Sequence, residues 1–135
     1  MKQLFGIFSL IVLVSACASK SEKEQGTATC ADHHTGTYVW QDQSGQEFRI
    51  ERTKDRQRET SPYSDTVSVY SVEWIDECTY RLQLLEGDQA AREFHNNTPT
   101  MVTLTLTNED SYEYALRSPN LQQVVRGKLI KEKSR

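Results

Sequence analysis

The sequence predicts an all-β fold: one small antiparallel meander, closed as a barrel or flattened into a sandwich, of seven or eight short strands with one short helix. Three observations predict it. Apolar and aromatic residues recur with a period of two, not 3.6, through most of residues 30–133. The alternating runs are short and bounded by turn-forming residues. The segment has about 104 residues, enough for a single small core. A meander with this many strands must close or fold over to hide its edges.

The strands follow in order. Tyr38 and Trp40 alternate with Thr37, Val39 and Gln41, and Phe48 and Ile50 alternate with Glu47, Arg49 and Glu51. Thr53-Lys54-Asp55 predicts a tight turn into a polar strand, Arg56 to Thr60, which Ser61-Pro62 ends. Thr66 to Ile75 is the longest candidate. Its apolar positions are Val67 and Val69, then Tyr70, Val72 and Trp74, so the phase flips between 69 and 70 and predicts a β-bulge there. Cys78, Tyr80, Leu82 and Leu84 share a face of the next strand. Asp88 is an N-cap candidate, and the helix formers after it predict one or two helical turns as far as Phe94. Val102, Leu104 and Leu106 form another inward row, Asn108-Glu109-Asp110 a turn, and Tyr112, Tyr114 and Leu116 the returning row. Leu121 to Ile130 is the last strand. A barrel of this size has a narrow interior. Tyr38, Trp40, Phe48, Trp74, Tyr80, Tyr112 and Tyr114 are expected to fill it, leaving no large ligand cavity.

Ahead of this domain the chain reads as an export signal over residues 1–16 and a tether over 17–29. Lys2 supplies a positive start, Leu4 to Val14 an apolar run, and Ser15-Ala16 the small residues before a cut. The run is about 11 residues, against about 20 for a helix that crosses a bilayer. The segment Leu13-Val14-Ser15-Ala16-Cys17 resembles the lipobox of bacterial lipoproteins, which implies cleavage before Cys17 and a diacylglycerol on its sulfur. The competing reading is an ordinary secretory signal with an incidental Cys17. The tether has no large apolar side chain and is expected to be flexible. Ala18 in place of aspartate favours the outer membrane under the sorting rule of enterobacteria, so the expected location is the envelope. The partner there is the membrane, through the lipid, together with another envelope protein or a small ligand.

Cleavage removes Lys2 and leaves 15 Lys+Arg against 19 Asp+Glu, a net charge of −4. That balance argues against a nucleic-acid partner. With Cys17 lipidated, Cys30 and Cys78 remain as an even pair in an oxidising compartment, which favours a disulfide over two buried thiols. Closing a loop of ~48 residues contributes about 4 kcal/mol on the chain-entropy account. No Cys-x-x-Cys pair suggests redox chemistry.

A longer series of residues carries a second resemblance. It comprises Cys30, Thr35-Gly36-Thr37-Tyr38, Phe48, Glu51-Arg52-Thr53, Gln57, Glu59-Thr60, Glu73-Trp74-Ile75, Glu77-Cys78-Thr79-Tyr80, Leu82, Tyr112-Glu113-Tyr114 and Arg126-Gly127-Lys128. The series resembles a family of small lipoproteins of flavobacteria and related Bacteroidota and covers the whole mature domain. That family implies no activity. Some proteins like it have carried the label DNA topoisomerase IV, which a short acidic chain without an ATPase module or basic cleft cannot satisfy. A fainter likeness is to lipocalin-like barrels. Gly36-x-Tyr38 stands where they have Gly-x-Trp, and Arg126 stands for the late arginine that packs across the opening aromatic.

Four polar residues, Arg52, Gln57, Glu59 and Glu73, lie in or beside strands. If Arg52 continues the inward phase of Phe48 and Ile50, it needs a buried partner, and Glu59 or Glu73 can supply it. The readings are a satisfied polar network, a pocket for a small anion or carboxylate, or catalysis by the two glutamates. The last lacks any nucleophile or cleft motif. Asp32-His33-His34, with His95, has metal-ligand chemistry. However, adjacent histidines on a strand point opposite ways, so no metal or cofactor is expected. Asp65-Thr66-Val67 matches the O-glycosylation pattern of Bacteroidota at Thr66. Asn96-Asn97-Thr98 matches the N-glycosylation pattern, which means little in a bacterium. Together these readings point to a non-enzymatic interaction or accessory module, with a lipocalin-like binder of a small ligand, then an enzyme, as alternatives. An apolar pocket of hundreds of Å³ favours the binder.

Overall fold

A computed structural model describes residues 28–134. The signal segment, Cys17 and the tether as far as residue 27 lie outside the described residues. A 3-10 turn, Cys30–His33, leads into eight strands: β1 (Gly36–Gln41), β2 (Glu47–Arg52), β3 (Arg56–Ser61), β4 (Ser64–Trp74), β5 (Thr79–Glu86), β6 (Thr100–Thr107), β7 (Ser111–Arg117) and β8 (Val125–Lys131). Helix α1 (Gln89–His95) connects β5 to β6. Each strand pairs antiparallel with the next, and β1 pairs with β8, so the sheet closes into a barrel. The closing seam is short, joining Tyr38 to Lys131 and Val39 to Ile130. Closure removes both sheet edges, as the alternation requires. The last strand is shorter than Leu121 to Ile130, because the chain turns at Ser118 and Leu121 before β8 begins.

The barrel has two unlike ends. At one, the 3-10 turn folds under the strands and plugs the opening. Asp32 caps its start, its carboxylate accepting from both the Thr29 amide and the Thr29 hydroxyl. Cys30 and Cys78 meet there at a Cα separation of 5.1 Å, bonded in disulfide geometry, and fix the plug to the start of β5. The other end is open. Its rim carries the β1–β2 and β3–β4 turns and α1, which Asp88 caps by accepting the Ala91 amide at 2.9 Å.

The register shifts at three places, between β3 and β4 at Glu59/Ser61, between β4 and β5, and between β6 and β7, and the last two set which side chains reach the interior. The register does break at Val69/Tyr70. Val69 faces Glu86 and Tyr70 faces Leu84, so the extra residue is Leu85 of β5 and β4 keeps one phase throughout. The expected inward row of Val67 and Val69 is therefore wrong. Ser64, Thr66 and Ser68 face inward there. In β6, Leu104 faces Tyr114 while Leu106 faces Glu113, which makes Thr105 the extra residue. The phase flips, Thr107 turns inward and is buried, and Leu106 leaves the inward row assigned to it. The well-packed core consequently lies toward the plugged end, around Tyr38, Tyr70, Val72, Tyr80, Leu82, Val102, Leu104, Tyr112 and Leu129.

Candidate functional site: a cavity above a buried arginine

The interior is built in two layers. In the lower layer Arg52, at the end of β2, is 3% exposed and rests against the inner side of the plug. Its register partner across β1 is Gly36, at φ 137°, a left-handed backbone that favours glycine. Nε of Arg52 donates to Gln57 Oε1 at 2.7 Å and Nη1 to the His33 carbonyl at 3.0 Å. Nη2 donates to the Tyr80 and Tyr112 hydroxyls at 2.8 and 2.7 Å. The guanidinium also packs on the rings of Tyr80, Tyr38 and Tyr112, 4.6, 5.2 and 5.6 Å from their centres. These contacts hold a buried cation without a direct carboxylate partner.

Gln57 passes the interaction on. Its Nε2 donates to Glu59 Oε1 at 2.6 Å, so Glu59 is tied to Arg52 through the amide. Desolvation pushes the Glu59 carboxyl above its usual range, against the opposing effects of the Gln57 bond and the Arg52 charge. Of the four polar residues singled out from the sequence, Arg52, Gln57 and Glu59 converge. Glu73 does not. It sits one residue out of phase with Val72 and Trp74, faces solvent and pairs with Arg81 at 3.3 Å. The Glu59/Glu73 catalytic pair is therefore excluded by geometry.

Above this layer the barrel holds a cavity of about 510 Å³ that opens at the rim. Phe48, Ile50, Leu82, Val102, Leu116 and Leu129 make its apolar walls, and Tyr80, Gln57 and Glu59 its floor. Ser64, Thr66 and Ser68 form the β4 wall. The expectation of a filled interior is overturned here, and the β4 phase explains it. Small hydroxyl side chains stand where valines were expected, and Trp40 and Phe48 stack on each other at the rim, ring centres 4.4 Å apart, lining the mouth instead of filling the interior. Trp74 is drawn to the other end, where His34 stacks on it at 3.6 Å.

The rim has its own polar fastening. Tyr63, on the β3–β4 turn, donates its hydroxyl to Asp42 on the β1–β2 turn, and its ring lies 5.8 Å from Phe48. Hydrogen bonds from Tyr63 and then Ser44 hold the Asp42 carboxyl down at about 2. Asp88 is engaged by Ser64 at 2.9 Å and by the α1 amides. Thr66 is exposed at the mouth, so a glycan there would stand beside the opening.

The remaining candidates disperse. His33 is buried in the plug and donates from Nε2 to the Asn108 carbonyl at 2.7 Å. His34 is held on Trp74 and the Glu77 carbonyl, and His95 lies in α1 against Tyr70. Among the described residues no three His, Cys, Asp or Glu side chains gather as metal ligands. Arg126 is exposed and does not cross the opening aromatic. Arg52 and, from β8, Lys131 lie over Tyr38 instead. No helix among the described residues is long and apolar enough to cross a membrane.

No protein-family model, curated protein or solved structure matches the chain.

Proposed function

We propose that this chain is a non-enzymatic lipoprotein of the bacterial envelope, of the kind found in Bacteroidota, held to the membrane through Cys17, whose barrel binds a small, mostly apolar ligand. The observation that carries the binding reading is the open cavity of about 510 Å³ above the arginine layer. Its size and composition, apolar walls with a few polar groups at one end, are those of small-molecule sites. The accessory-module reading, by contrast, rests on a filled core.

The binding reading is tested with N-phenyl-1-naphthylamine, a neutral dye that brightens in apolar surroundings. The full chain is expected to bind it, and Ser68→Phe, which places a ring in the cavity, is expected to abolish binding while leaving thermal stability within a few degrees. Absence of dye binding by the unaltered chain, or equal binding by Ser68→Phe, overturns the reading. Mass spectrometry of native material decides the anchor, since the proposal requires diacylglycerol on Cys17.

A further inference from the structure

The arginine network leaves one polar atom facing the cavity. Glu59 spends Oε1 on Gln57, and Oε2 has no hydrogen-bond partner among the described residues although the carboxylate lines the cavity. It is not sealed away in the wall, since it is absent from the buried atoms without partners. The amide, guanidinium and second carboxylate nearby are committed, while Ser68, Thr66 and Tyr114 line the walls with hydroxyls rather than charges. Gln57 gives its oxygen to Arg52 and its amide to Glu59, so its orientation is fixed from both sides. Arg52 uses four of the five N–H groups of a guanidinium within the lower layer and does not line the cavity. Asp88 is held at the rim by Ser64 and the α1 cap. A ligand reaching the floor thus meets an unshared carboxylate oxygen, below apolar walls on most sides and the hydroxyl-bearing β4 wall on one. A carboxylate there would face Glu59 with no free guanidinium to offset the repulsion, which disposes of the anion pocket that Arg52 suggests from sequence.

We infer that the cavity selects amphiphiles whose buried end donates a hydrogen bond, an alcohol or a primary amine on an apolar tail, and that Glu59 Oε2 is the atom that receives it. This rests on the binding reading and specifies its ligand class.

The test is displacement of N-phenyl-1-naphthylamine in alkaline buffer, which favours the Glu59 carboxylate against the upward push of burial. The protein is the full chain carrying Cys17→Ser, so that no acyl chain of its own competes. Decanol, decylamine, decanoate and decyl methyl ether share one tail and differ at the head. Decanol and decylamine are expected to displace the dye about tenfold more strongly than the other two, the worth of one net hydrogen bond in an apolar site. In Glu59→Gln the new amide turns its oxygen to Gln57 and its N–H groups to the cavity, so the order is expected to reverse in favour of decanoate. Equal displacement by all four, or a lead for decanoate in the unaltered chain, overturns the inference and leaves the binding reading standing. Failure of the dye itself to bind removes both. The head-group series in the unaltered chain decides the matter even if Glu59→Gln does not fold.

Discussion

Arg52 shows how a buried charge is tolerated in a chain that offers it no adjacent carboxylate. An unpaired guanidinium in this position would cost several kcal/mol in desolvation. Here two phenol oxygens, a backbone carbonyl and an amide oxygen take up its donors, and three aromatic faces surround it. Removing one acceptor without changing the shape should therefore be felt. Tyr112→Phe leaves one N–H of a buried cation unmatched and is expected to cost about 1–3 kcal/mol, read from the urea midpoint. Because Tyr112 does not line the cavity, dye binding by the folded protein should be unchanged. Only part of this residue-scale picture was legible in the sequence. The inward phase of Phe48 and Ile50 pointed to Arg52 and to its need for partners. The tyrosine hydroxyls that satisfy it come from β5 and β7, distant in sequence, and no local pattern shows that their tips converge. Glu73 stands outside, as its own strand's alternation, with Val72 and Trp74 inward, already implies.

At the scale of elements, the plug and β4 matter most. The 3-10 turn is too short to hold itself in place. It is secured by the Cys30–Cys78 bridge, by the His33 bond to Asn108 and by Arg52 reaching up to the His33 carbonyl. The bridge closes a loop with a sequence separation of 48. Cys78→Ala is accordingly expected to lower stability by about 4 kcal/mol, measured in urea under non-reducing conditions. A loss well under 1 kcal/mol would mean that the pair is reduced in the native protein. The strand order, the cysteine pair and the Asp88 cap were readable because each rests on local spacing or on residue type. The cavity was not. Its β4 wall carries Ser64, Thr66 and Ser68 because β4 keeps one phase while the extra residue, Leu85, falls in β5, and a strand's own alternation does not say which partner carries a bulge. The polar strand β3 hid Glu59 for a related reason. Arg56 and Arg58 face out and Gln57 and Glu59 face in, so neither face carries the apolar signal by which an inward side is recognised.

The whole molecule carries ionisable groups whose burial couples its stability to pH. His33 and His95 are both held below their ordinary value of 6.5. Desolvation is the main cause in each, with Lys131 and Arg52 adding to it at His33 and the Asn108 bond and Asp32 opposing. The unfolded chain therefore binds these protons first as pH falls. Their contribution to stability is complete above about 6.5 and is lost progressively through the window from there down to their lowered values. Glu59 works the other way: its raised carboxyl favours the folded state below the ordinary carboxylate value and loses that advantage as pH rises through the raised one. The thermal midpoint is expected to fall between neutral and mildly acidic pH, and to fall less in His95→Gln. An identical slope in the variant would show that His95 takes up its proton as readily folded as unfolded.

The position of Ala28 has a geometric consequence. Its carbonyl is held by the Thr107 hydroxyl, so the chain from Cys17 joins the barrel at the stoppered pole. The mouth is at the opposite pole, between Trp40, Tyr63 and α1. Under the lipid anchor proposed at Cys17, the leash is rooted at the pole away from the aperture, so its root leaves the way in for cargo unobstructed.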